Sequence, residues 1–142
     1  MDQAILEQFE DSLRRCNADP GFLDRFYERF LASSPKVREK FKGTDFVRQK
    51  RMLRASLELL VVAAQDDGER PTPYLDEVAA RHSASQMGIG AELYDLWLDS
   101  LLATVRQVDP SWDPEVGEAW ESVMTVGIAY LVSRFNRPPG EK

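Results

Sequence analysis

Side chains able to ligate a metal or act as a nucleophile are few in this chain, which has one histidine, His82, and one cysteine, Cys16. A Ser-His-Asp hydrolytic set would have to use His82, and a site with two histidine ligands cannot be built. A solitary cysteine rules out an intramolecular disulfide, a multi-cysteine metal site and an iron–sulfur cluster, so Cys16 reads as a small helix residue. No GxGxxG, Walker-type loop or paired-cysteine motif is present, which leaves nucleotide binding without support. Asp95 and Asp99 lie one helical turn apart, but such pairs are commonly solvated surface. His82 differs from them in its setting. Leu75, Val78 and Ala79 lead to it by three- and four-residue steps, while Glu77 and Arg81 fall on the polar side. The ring therefore points inward, either as a hydrogen-bonded core residue or as a ligand.

The elements that must position these residues are helical. Asp19-Pro20, Ser34-Pro35, Thr72-Pro73 and Asp113-Pro114 each place a capping side chain before a proline suited to a first helical position. Gly43, Gly68, Gly88 and Gly90 sit near the breaks. The spacing predicts helices over about 3–16 (Ile5, Leu6, Phe9 and Leu13 inward), 20–33 (Phe22, Leu23, Phe26, Phe30 and Leu31, with Tyr27 beside them) and 45–64 (Phe46, Leu53, Leu57, Leu60 and Val61). A short turn of helix runs from Pro35 to Phe41, and a short helix over about 73–83 carries His82. Two long helices follow, at about 91–108 (Leu93, Trp97, Leu101, Val105) and 114–135 (Val116, Trp120, Val123, Ile128, Leu131, Val132). No segment alternates as a strand and no repeat is found, so the fold class is all-α. Two long final helices, a short histidine-bearing helix before them, and aromatic residues gathered on the second helix and the turn after it make the layout of a haem pocket.

A length of 142 residues is that of a single domain, 1–142, with 136–142 expected as a flexible tail. Apolar residues at 43% and charged residues at 30% are those of an ordinary folded globule. The longest aliphatic run, Leu59 to Ala64, is six residues, against the roughly 20 that cross a bilayer. The first residues lack a basic start and a long apolar stretch, so a cytoplasmic location is the expectation. A net charge of −6 argues against nucleic-acid and anionic-membrane partners. The charge is uneven, however. Lys36, Arg38, Lys40, Lys42, Arg48, Lys50, Arg51 and Arg54 face only Glu39 and Asp45 within the same stretch, either as a solvated helix face or as a patch for an anionic ligand or acidic partner.

Phe26-Tyr27-Glu28-Arg29-Phe30, then Ser34-Pro35, then Phe41 resembles the flavohaemoglobin pattern of Phe-Tyr-acid-Arg, Asn-Pro and a phenylalanine stacked on haem. Arg81-His82-Ser83, followed by Tyr94 and Leu101-Leu102-Ala103-Thr104, resembles the proximal histidine segment and the next helix. Ala119-Trp120 matches a further Ala-Trp. Over roughly residues 5–135 the chain is thus similar to the globin family, specifically bacterial single-domain globins and the globin domain of flavohaemoglobins. The resemblance implies a globin fold of about seven to eight helices around haem b (iron protoporphyrin IX). His82 would be the proximal iron ligand, leaving a position for a diatomic gas such as O₂, NO or CO. Tyr27 would be the distal hydroxyl that donates to bound oxygen. Gln49, or Lys50 one residue on, would be the distal polar residue and Leu53 the apolar one. Phe41, Val78, Tyr94 and Trp97 would line the cofactor, with Trp97 facing the cavity. Arg81 and members of the basic patch would pair with the propionates.

Two departures bear on function. No clear equivalent of the flavohaemoglobin glutamate that supports the proximal histidine lies near Phe135, and no flavin and nicotinamide reductase is attached. The resemblance thus implies reversible gas binding by a monomer or homodimer. The alternatives are nitric oxide dioxygenase or peroxidase-like catalysis served by a separate reductase, a gas sensor with an output partner elsewhere, and a haem-free interaction module.

Overall fold

The computed structural model describes residues 1–65 and 91–132, and those residues form six helices and no strand. They are α1 (Gln3–Asn17), α2 (Phe22–Ser33), α3 (Pro35–Lys40), α4 (Phe46–Gln65), α5 (Ala91–Val108) and α6 (Pro114–Val132). The helix expected over 73–83, the end of the last helix beyond 132 and the tail lie outside the described residues.

Most helix starts follow from local chemistry. Asp2 caps α1 by accepting from the Ala4 N–H at 2.8 Å, and Arg14 and Arg15 in the last turn complement the helix dipole. Ser34 is extended (φ −165°, ψ 144°) and its Oγ accepts from the Lys36 N–H at 3.1 Å, with Pro35 opening α3. Asp113 Oδ1 accepts from the Val116 N–H at 2.9 Å at the start of α6. The Asp19-Pro20 pair behaves differently from expectation. Asp19 spends its carboxylate on the Gly21 N–H (2.8 Å) and the Arg25 guanidinium (2.9 Å), so residues 18–21 form a turn and α2 begins at Phe22. Between α3 and α4 the chain reverses through Gly43, whose φ of +76° is a left-handed conformation that suits glycine. Asp45 Oδ1 then caps α4 by accepting from Val47 N (3.1 Å) and Arg48 N (3.3 Å).

Helix α6 is the hub, packed against α1, α4 and α5, while α2 lies along α5 and joins α3. Trp120 is fully buried at the centre, with Phe9 edge-on at 4.6 Å and Phe22 at 6.5 Å. Where α4 meets α6, a Cβ on Gly127 would stand 2.3 Å from Leu60 Cδ2, so hydrogen at that position sets how closely the two helices approach. Ile5, expected inward, is only half-buried.

A buried polar junction ties α1 to the α5–α6 corner. Asp109 accepts from Ser12 Oγ (2.6 Å), Arg15 Nε (2.6 Å) and Nη2 (2.9 Å), and the Ser111 N–H (2.8 Å), while Ser12 Oγ accepts from Trp120 Nε1 at 2.8 Å. Burial alone would push the Asp109 carboxyl up, but these donors outweigh it and hold the group below its usual range. Cys16 is buried nearby, and burial pushes its thiol up to about 12, which suits an inert packing residue.

Candidate functional site

The corner formed by α2, α3 and the start of α4 gathers Phe26, Tyr27, Phe30, Phe41 and Phe46. On α2, a three- and four-residue rhythm puts Phe26 and Phe30 on the buried face, with Tyr27 beside them. Phe26 stacks on Phe30 (5.5 Å) and meets Trp97 of α5 edge-on at 6.0 Å. Phe41, the residue that ends α3, sits edge-on to Tyr27 (5.8 Å) and Phe30 (5.7 Å). Phe46 opens α4, stacks on Phe41 at 5.9 Å and is edge-on to Tyr27 at 5.4 Å. Each such pair contributes about 0.5–1.5 kcal/mol beyond the area it buries. Together they make an apolar wall with one hydroxyl inside it.

That hydroxyl belongs to Tyr27, which is 5% exposed. Burial pushes its phenol up to about 12, partly offset by a hydrogen bond with the Gln49 side-chain amide from α4. Near neutral pH Tyr27 therefore keeps its proton and can donate. Leu53, buried and one turn beyond Gln49, continues the same face of α4. Tyr94, near the start of α5, is buried as well, and burial pushes its phenol up to about 12. Trp97, half-buried, lies one turn further along.

Lys50 and Gln49 are separated by their partners. The Lys50 ammonium lies 2.5 Å from Asp24 Oδ1, and it is Gln49 that meets Tyr27. In the rest of the basic stretch, Lys36 pairs with Glu92 at 3.0 Å, tying α3 to α5, and Arg38 donates to the Leu31 carbonyl at 3.0 Å. Lys42, Arg48, Arg51 and Arg54 are exposed. Val78, Arg81 and His82 lie outside the described residues. The pattern-based reading placed Phe46 in the core without giving it a place at this corner. Its signal was available in its three-residue interval to Gln49, which puts both side chains on one face of α4. Among the described residues, no group of three or more His, Cys, Asp or Glu could hold a metal ion, and no helix is long and apolar enough to cross a membrane.

The described residues thus form an all-helical fold in which one protonated phenol is enclosed by aromatic rings. A Globin family model matches residues 24–131, well over half of the chain, and the chain belongs to the globin family. Among solved structures it is similar to a crystal structure of a Pseudomonas aeruginosa protein, described as structurally highly homologous to a human haemoglobin. The two share 42% identity with a TM-score of 0.86, over 93% of this chain and 98% of that one. No curated protein sequence matches the chain.

Proposed function

We propose that this globin binds haem b through His82 and reversibly binds a diatomic gas, O₂ above all, beside Tyr27. When bound, haem supplies an iron whose remaining coordination position takes the gas. The observation that carries this reading is Tyr27, a buried neutral hydroxyl among aromatic rings, with the half-buried Gln49 amide beside it.

The described residues fit such a group. Phe41, Leu53 and Trp97 offer flat and aliphatic surface to a large apolar ring system. Tyr27 holds a proton that it can share with a ligand atom bearing partial negative charge, and Gln49 orients the phenol. Phe26, Phe41 and Phe46 keep bulk water from competing for that bond. His82, outside the described residues, would be the side chain that holds the metal. Exposed arginines of the α4 surface, with Arg81, are the cations suited to propionate carboxylates.

Replacing Tyr27 by Phe and following oxygen release from the ferrous protein tests this role. Loss of one hydrogen bond to a charged acceptor predicts release about tenfold faster. An unchanged rate would remove Tyr27 from the site.

A further inference from the structure

We propose that Phe46 is the access-controlling residue of this corner: its ring seals the Tyr27 phenol from solvent and sets the rate at which small ligands arrive and leave. The part played by ligands rests on the haem reading above; the seal itself does not.

Among the described residues, three rings surround the Tyr27 phenol ring. Phe26, centred 4.9 Å away, is fully buried and lies on the core side. The outward pair is Phe41 and Phe46, both half-buried, so the boundary between Tyr27 and water runs through those two side chains. They are not equally fixed. Phe41 contacts Phe30 as well as Tyr27 and Phe46, and ends the helix that is held to α5 through Lys36 and Glu92. Among the described residues, Phe46 has ring contacts only to Tyr27 and Phe41. It stands at the first position of α4, next to Val47, which is 66% exposed, and three residues after the left-handed Gly43.

A ring at a helix start can change rotamer without breaking a helical hydrogen bond, because the first N–H groups have no intrahelical acceptor and Asp45 caps them independently. Swinging Phe46 outward would uncover Tyr27 on the face of α4 that Phe46 shares with Gln49. Moving Phe41 instead would cost its contact with Phe30. Phe46 packs on the ring of Tyr27 and brings no polar atom of its own, so it acts on passage and not on the bound state.

Two readouts test this with Phe46→Ala and, in the opposite direction, Phe46→Trp. In the haem-free protein, Tyr27 ionisation is followed by ultraviolet absorbance, with Tyr27→Phe giving the baseline. Phe46→Ala should bring it down from about 12 toward the ordinary 10.0, and an unmoved titration would overturn the seal. In the CO-bound ferrous protein, flash photolysis should show association and dissociation both faster by about 2- to 10-fold in Phe46→Ala, the scale of one lost aromatic contact, with affinity nearly unchanged. Phe46→Trp should slow both. A change confined to dissociation, or none, would overturn the access role. A protein that takes up no haem would defeat the reading of function while the tyrosine titration still decides the seal.

Discussion

Replacing Asp109 with Ala probes the junction that fixes α1 to the α5–α6 corner. The carboxylate is fully buried in its side chain, while its Arg15 partner retains 29% exposure. Truncating one member of a buried ion pair costs about 3–5 kcal/mol when the other is left buried and unpaired. Arg15 can partly rehydrate, which favours the low end. The Ser12 hydroxyl, in a residue 0% exposed, would lose its acceptor, and an unsatisfied buried group of this kind costs about 1–3 kcal/mol. A loss of about 4 kcal/mol is therefore expected, equivalent to about 13 °C in Tm for a chain of this size. Urea unfolding at several pH values provides the assay. The folded carboxyl lies below its ordinary range, so its contribution is complete above the unfolded value of about 3.9 and fades as pH falls through the folded value. The gap between parent and variant should hold from about pH 7 to pH 5 and narrow below about pH 4. A gap under about 0.5 kcal/mol, or one that widens in acid, would refute the ionised junction.

Gly127→Ala should destabilise by about 1 kcal/mol, the cost of overpacking against Leu60 less the gain in helix propensity, and Leu60→Ala in the same chain should remove the penalty. Chemical denaturation of the two single variants and the double variant checks this; equal effects in both backgrounds would show that the α4–α6 contact is not the cause. Nitric oxide consumption by the haem-loaded protein should stop after about one turnover without a reducing system, since nothing in the described residues supplies electrons. Sustained consumption by the protein alone would favour a different chemistry.

The helical periods were strong enough to place five of the six described helices within a residue or two of their observed ends. The inward placing of Phe26, Phe30, Leu53 and Leu57 was legible because each lies on a helix whose apolar stripe is regular. The start of α2 was misjudged because Asp19 has two uses, cap or turn, and only the fold brings Arg25 and the Gly21 N–H to its carboxylate. Asp109, Ser12 and Arg15 were not legible as a unit. A buried aspartate looks like any surface acid until partners 94 and 97 residues away in the chain are known to meet it. The different partners of Gln49 and Lys50 were likewise not legible, because Asp24, which takes the lysine, lies 26 residues away in the chain.

Titrating purified protein with hemin, and comparing it with His82→Ala, tests the haem proposal most directly. A saturable one-to-one uptake with an intense, sharp Soret band in the parent, abolished or greatly weakened by the substitution, is the predicted result. A parent protein that stays indifferent to hemin, or a His82→Ala protein with an unaltered spectrum, would contradict it.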